Sequence, residues 1–275
     1  MIREKLKNSK RIVIKIGTSS LIYPNGNINL SSIDALAFVL ADLSNQGKEI
    51  LLVTSGAIGV GMNQLQLKTR PSTIPEQQAV ASLGQATLMN IYSQRLASYG
   101  KLAGQILLTR DVIEYPESRK NVTNTLEQLL QMKIIPIINE NDTVSVDELD
   151  HLTKFGDNDQ LSAIVAQLTH ADLLVMLSDI DGFYSDNPNT NPEATLHHHI
   201  SEITPEITQQ AGGKGSQFGT GGMASKLKAA KRILDHDLAM VLANGKQPKI
   251  IFDIIEGAPI GTLFMKKITN EEEIR

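Results

Sequence analysis

Residues 215 to 226 read GSQFGTGGMASK and run directly into LKAAKRIL. Clustered glycines free backbone N–H groups, a helix start adds the positive end of its dipole, and a first-turn lysine adds a full charge. Together these favour a bound anion, phosphate above all. The spelling excludes a Walker loop, which needs glycine directly before the lysine and a hydroxyl directly after it; Lys226 follows Ser225 and precedes Leu227. Gly219 to Ala224 satisfies GxGxxA, but the preceding ITPEITQQAGGKGSQF does not read as a strand, so a dinucleotide site does not follow. Taken alone, the stretch leaves two readings open: an anion cradle, or a plain turn beside a surface lysine.

A second glycine-rich turn, TSGAIGVGM, lies between a strand pattern and a helix pattern. Ser55 and the amides near Gly56 could hold a carboxylate or phosphate; equally, the glycines could serve close packing of helix on sheet. Carboxylates crowd the middle of the chain at Glu140, Asp142, Asp147, Asp157, Asp159, Asp179 and Asp181. With no cysteine partners, such oxygen donors suit a hard cation such as magnesium, which normally arrives with substrate phosphates. Asp157, Asn158 and Asp159 sit at the start of the helical pattern DQLSAIVAQL, so one of them is expected to cap it and the others to contact ligand. His197, His198 and His199 have no acidic or cysteine partner nearby in sequence, and are expected to face solvent rather than to bind metal.

Something must bring these residues together. Short β-branched runs recur at 11–17, 49–56, 102–109, 134–139, 171–179 and 238–245, and most are separated by segments of helical length. Strands apolar on both faces that alternate with helices indicate a three-layer α/β sandwich around a mainly parallel sheet. SSIDALAFVLADLSNQGK is one such helix, expected to start at Ser31 or Ser32 as N-cap and to close on Gly47. In the helix after the glycine stretch, Met223, Leu227, Ala230 and Leu234 form the core stripe. Lys226, Lys228, Lys231 and Arg232 lie off it, the last three as a solvated face. Ligands of open α/β sheets gather at the C-terminal strand ends. Here those ends yield Lys15 then GTSS, TSGAIGVGM, NEND and SDIDG. Two regions break the alternation: the polar excursion 143–159, and 182–222 with its Pro, Asn and Gly residues.

The bulk properties narrow the function. The chain has 275 residues and 41% hydrophobic content, enough for one compact fold. Its 26 Lys and Arg against 30 Asp and Glu are spread along the chain, which argues against nucleic acid as the main partner. No apolar run approaches the roughly 18 residues that span a bilayer, and MIREKLKNSK lacks the apolar segment of a signal peptide, so a cytoplasmic location is expected. Without cysteine, the chemistry falls to oxygen, amine or imidazole groups.

From about residue 11 to 265, VIKIGTSSL, VTSGAIGVGM, QILLTRDV, IPIINENDTVSVDE, KFGDNDQLSA, LLVMLSDIDGFY, GTGGMASKLKAA and EGAPIGTLF follow one another as they do in the glutamate 5-kinases, which the chain resembles closely. These are a branch of the amino acid kinase family, and the resemblance implies that fold. It also implies transfer of the γ-phosphoryl of ATP to the side-chain carboxylate of L-glutamate, the first step of proline synthesis. The N-terminal half, to about residue 170, would hold the amino acid and the C-terminal half the nucleotide. Carried over by motif, Lys15 and Lys226 would flank the transferred phosphoryl group, with Asp159 orienting them. Ser55, Gly56, Asp142 and Asn158 would bind glutamate. Lys15, Ser178, Asp179 and the loop Thr220, Gly221, Gly222, Met223, Ala224, Ser225 and Lys226 would bind ATP, with Mg2+ held mainly through the nucleotide. Ser178 stands where many relatives have threonine, which keeps the hydroxyl.

The resemblance further implies inhibition by proline, for which the excursion 143–159 and the stretch TRDVIEYPE are the places to look. It implies a homo-oligomer, dimer or tetramer, and a functional link to glutamate 5-semialdehyde dehydrogenase. Longer members carry a C-terminal PUA domain; this chain stops at Arg275, so a short form is expected. The rival expectations are a related kinase acting on acetylglutamate, aspartate, carbamate or a nucleoside monophosphate, and an idle amino acid and nucleotide sensor. The sensor reading predicts loss of the phosphate-facing lysines, yet Lys15 and Lys226 are present.

Overall fold

The computed structural model describes residues 2–109, 115–144, 158–211 and 222–267. Its centre is an eight-stranded sheet ordered β3-β4-β2-β1-β5-β7-β8-β6. The strands are β1 (Arg11–Ile16), β2 (Glu49–Val53), β3 (Ala103–Leu108), β4 (Ile135–Glu140), β5 (Leu173–Ser178), β6 (His199–Ile200), β7 (Ala239–Asn244) and β8 (Thr262–Phe264). From β3 to β7 every pairing is parallel; β8 runs antiparallel to β7, and β6 parallel to β8. The six runs expected from the sequence are β1 to β5 and β7. The two not expected, β6 and β8, are only two and three residues long, too short to show a period.

The helices are α1 (Thr18–Leu21), α2 (Leu30–Asn45), α3 (Ala57–Gln64), α4 (Ile74–Ala97), α5 (Pro116–Gln131), α6 (Asn158–Leu168), α7 (Pro205–Ala211), α8 (Met223–Asp235) and α9 (Ile250–Ile255). Alternation along the strands divides the core into two layers. Ile12, Ile14 and Ile16 of β1 pack with Leu36 of α2, Tyr92 of α4 and Ile254 of α9 on one face. Val13 packs with Leu126 of α5, Leu161 of α6 and Ile233 of α8 on the other. Because side chains alternate along a strand, Lys15 shares the face of Val13 and is aimed at α6 and α8. That single parity fixes which helices can supply its partners.

Asn29 caps α2, its Oδ1 accepting the Ser32 N–H at 3.1 Å, so the cap lies two or three residues before the serines expected to provide it. Gly47, with φ of +85°, closes the turn after the helix as expected. Helix α4 carries a capping box between Thr73 and Glu76, with proline in its first turn. It meets α3 through two glycines. A Cβ at Gly84 would lie 1.8 Å from the Ala57 carbonyl oxygen, and one at Gly61 2.1 Å from that of Val80. Gly61 of AIGVGM and Gly84 of α4 therefore bring two helix backbones together, whereas a Cβ at Gly59 would meet the Ile22 side chain. Of the TSGAIGVGM glycines, Gly56 alone is the turn, with φ of +95°, a left-handed conformation that glycine adopts without penalty.

The histidines depart from expectation. His197 stacks on Phe183 at 5.4 Å between ring centroids and pairs with Gln210 Oε1 at 3.0 Å. His199 reaches the Met265 carbonyl at 2.8 Å from β6, and only His198 is exposed. The guanidinium of Arg3 donates to the carbonyls of His198, Ala258, Ile260 and Gly261, tying the first turn of the chain to this edge of the sheet. Two of the histidines are thus structural parts of a strand edge that sequence periodicity did not reveal.

Candidate active site

Parallel pairing puts the C-terminal ends of β4, β2, β1, β5 and β7 along one edge. Lys15 stands opposite Val53 of β2 and Met176 of β5, and Ser178 opposite Asn244 of β7. The strands from the first part of the chain, β1 to β4, lie together on one side. Those from the second part, β5 to β8, lie on the other, and the seam runs between β1 and β5. Lys15 is at that seam.

Three charged residues converge there. Asp159, in the first turn of α6 and 1% exposed, places Oδ1 2.5 Å from Lys15 Nζ and Oδ2 3.0 Å from Lys226 Nζ. Both lysines are 7% exposed. Burial alone pushes the Asp159 carboxyl up, but the charges and hydrogen bonds of Lys15 and Lys226 more than offset it and hold the group below the ordinary aspartate value. Lys226 reaches the cluster because α8 is docked on α6: the Gln160 side-chain amide donates to the Ser225 carbonyl at 2.8 Å, and Leu227, Ala230 and Leu234 are buried as the stripe requires. Lys228 and Lys231 are exposed as expected; Arg232 is half-buried and donates to Gln167 Oε1.

Next to this cluster, on the β2 and β4 side, are the residues expected to hold an amino acid. Ser55 donates to the Ile16 carbonyl at 3.1 Å and accepts from Thr18 at 3.3 Å, which ties the end of β2 to the end of β1. Behind it, Thr54 shares a 3.0 Å hydrogen bond with the fully buried Tyr92 hydroxyl, which burial makes harder to ionise. Gly56 starts α3. Asp142 follows β4 and lines a small cleft with Ala57, Gln85, Glu140 and Asn141. Asn158 donates to Asn139 Oδ1 at 3.0 Å.

On the other side of the seam, Ser178 donates to Asp179 Oδ1 at 3.1 Å, and Asn244 donates to Asp181 Oδ1 at 2.8 Å. Gly222 is the N-cap of α8, and Met223, Ala224 and Ser225 form its first turn; Thr220 and Gly221 lie outside the described residues, as do Asp147 and Asp157. The excursion 143–159 is described only at Thr143, Val144, Asn158 and Asp159. Among the described residues, no three His, Asp or Glu side chains converge as metal ligands.

The arrangement pairs two ammonium groups at one carboxylate, with a polar cleft on one side and a hydroxyl–carboxylate pair on the other. A sequence model of the amino acid kinase family matches residues 10–244. The chain belongs to the amino acid kinase family. Within that family it is 73% identical over 265 residues to a glutamate 5-kinase of Enterococcus faecalis, covering 96% of this chain and 98% of that one. It is 63% identical over 266 residues to a glutamate 5-kinase of Listeria monocytogenes, covering 97% and 96%. Among solved structures, the carbamate kinase of Giardia lamblia bound to AMP-PNP superposes with a TM-score of 0.65 at 14% identity, covering 95% of this chain and all of that one. An isopentenyl phosphate kinase from T. acidophilum gives 0.63 at 17%, covering 92% and 99%. At such identities these two establish the fold, which is the amino acid kinase fold expected from the motifs. No described helix is long and apolar enough to cross a membrane.

Two polar residues of the site were not singled out in the sequence: Asn139, the first asparagine of INEND, and Gln85, deep in α4. Gln85 had a signal. It occupies a buried stripe with Ala81, Leu88, Tyr92 and Leu96, where an uncharged amide interrupts otherwise apolar spacing.

Proposed function

We propose that this protein transfers the γ-phosphoryl group of ATP to the side-chain carboxylate of L-glutamate, giving L-glutamyl 5-phosphate and ADP in the first step of proline biosynthesis. The observation that carries the reading is the buried Lys15–Asp159–Lys226 cluster at the seam of the sheet, in a chain 73% identical to a glutamate 5-kinase.

The residues suit the chemistry. A glutamate side chain with a pKa of about 4.3 is already ionised at neutral pH, so no histidine base is required. One of its oxygens forms a bond to the γ-phosphorus while the bond from that phosphorus to the β–γ bridging oxygen breaks, and the electron pair leaves on ADP. No proton has to move. The barrier is the repulsion between a carboxylate and a polyphosphate, so catalysis rests on positioning and on charge neutralisation. Lys15 and Lys226 act on the transferred group, and Asp159 holds both in place. Ser55, Gly56, Asp142 and Asn158 take the amino acid. Ser178, Asp179 and the segment from Thr220 to Lys226 take the nucleotide. The hydroxyl and carboxylate oxygens beside the lysines suit a magnesium polyphosphate, and Mg2+ would neutralise its charge. On this reading the N-terminal half, to about residue 170, is the amino acid side and the remainder the nucleotide side.

The test is incubation with ATP, Mg2+, L-glutamate and hydroxylamine, which traps an acyl phosphate as hydroxamate. γ-Glutamyl hydroxamate with matching ADP is expected from glutamate and not from acetylglutamate or aspartate. Product from another acid instead changes the substrate, and no turnover with any acid overturns the reading.

The same reading carries a cytoplasmic location, a homo-oligomeric assembly of two or four chains and a link to glutamate 5-semialdehyde dehydrogenase, because the acyl phosphate product is labile. It also carries feedback inhibition by proline near the glutamate pocket. Millimolar proline is expected to shift glutamate saturation curves to higher concentration, and unchanged curves would count against it.

A further inference from the structure

The amide of Asn139, 1% exposed, is the middle of a chain of three. Its Oδ1 accepts the Glu140 backbone N–H at 2.9 Å and the Asn158 amide at 3.0 Å, and its Nδ2 donates to Gln85 Oε1 at 2.8 Å. A backbone N–H can only donate, so the Asn139 atom it meets is an oxygen. That one bond fixes the polarity of all three amides. What remains is a donor at one end, Gln85 Nε2, and an acceptor at the other, Asn158 Oδ1. Both are buried without a hydrogen-bond partner among the described residues. Gln85 is 8% exposed and lines the cleft with Asp142 and Glu140.

Unpaired buried amide groups are unfavourable unless a ligand completes them. An amino acid offers the complement on a single carbon: a carboxylate that accepts and an ammonium that donates. We propose that Gln85 Nε2 donates to the α-carboxylate of the substrate while Asn158 Oδ1 accepts from its α-ammonium, so that Gln85 is a specificity-determining residue of the amino acid pocket. This assignment rests on the functional reading above. It requires the α-carboxylate to sit toward α4, leaving the side-chain carboxylate to extend toward the lysines at the seam. The Asp142 carboxylate lines the same cleft and would attract the α-ammonium carried on the same carbon. Asn139 is then a positioning residue that sets which way both outer amides face.

Gln85→Glu tests the donor, because it keeps an oxygen to accept from Asn139 and replaces only Nε2. Its KM for L-glutamate is expected to rise at least about tenfold, the typical cost of losing a hydrogen bond to a charged group, with the KM for ATP little moved. The decisive readout is the ratio of kcat/KM for L-glutamate over isoglutamine, whose α-carboxamide can donate to the new carboxylate. That ratio should fall at least about tenfold in Gln85→Glu. Gln85→Met, similar in length and without polar atoms, should raise the KM for glutamate without favouring isoglutamine. A variant that melts like the parent protein and keeps both the glutamate KM and the ratio overturns the assignment, as does a loss shared equally by the two substrates. Absence of turnover in the unsubstituted protein overturns the functional reading instead, so the two failures are distinguishable.

Discussion

Lys226→Ala is expected to lower turnover with glutamate and ATP by about 10²- to 10³-fold, and Lys15→Ala by a similar factor. This corresponds to about 2.7–4 kcal/mol, the usual consequence of removing one preorganised group that stabilises charge developing in a transition state. The geometry argues for the upper part of that range. Each ammonium is nearly excluded from solvent and held on Asp159, so it needs no reorganisation when the phosphoryl group moves. Folding should survive either change, because Asp159 keeps the other lysine as partner. Lys226→Arg should not restore activity, since a planar guanidinium does not occupy the volume or the direction of a buried ammonium. The double variant should be little slower than either single one, as groups that act as a unit are not additive. Steady-state kinetics at saturating substrates, with a thermal melt of each variant, read all of this. Turnover within a few-fold of the parent protein for Lys226→Ala would rule out its place beside the transferred group.

The lysines and the aspartate illustrate what a sequence can carry. Strand β1 was legible from its β-branched alternation, and that alternation already says that Lys15 shares a face with Val13. Helix α8 was legible from the stripe of Leu227, Ala230 and Leu234, which puts Lys226 beside the stripe. Neither pattern states that the two lysines meet on Asp159. Their closure depends on the parallel order of β1 beside β5 and on α6 packed against α8, long-range pairings with no local spelling. The motif resemblance supplied the grouping that periodicity could not.

Other features were hidden for different reasons. Asn29 outcompetes the serines as N-cap because it lies two or three residues earlier and its side chain reaches the Ser32 N–H; both choices are good caps, so composition alone does not separate them. The histidines looked solvated because β6 is two residues long and borrows its order from β8 and Arg3. Gln85 was passed over because helical spacing marks the buried face of α4 without saying what that face touches. Its partner, Asn139, is 54 residues away in sequence.

Asp159→Asn is expected to be the more damaging substitution, because it affects stability as well as rate. The amide has the shape of the carboxylate but not its charge, so two lysines that are each 7% exposed would lose the carboxylate they share. Removing one partner from a buried ion pair typically costs about 3–5 kcal/mol, mostly the penalty of the charge left behind. The pH dependence follows from the sign of the shift. The folded-state pKa of Asp159 is depressed below its unfolded value of about 3.9. Its contribution is therefore fully present above that value and is lost as pH falls through the folded-state pKa. Urea unfolding at pH 7 should show the full difference between parent and variant, and the difference should persist near pH 5. It should shrink only below about pH 4, where the unfolded chain takes up a proton that the folded carboxylate still resists. A difference that stayed constant into that acid range would mean that the lysine pairing does not stabilise the fold. The rate should fall with the stability, since the one group that aims both ammonium ions has lost its charge. A variant that melted like the parent at pH 7 and turned over normally would remove Asp159 from the centre of the site.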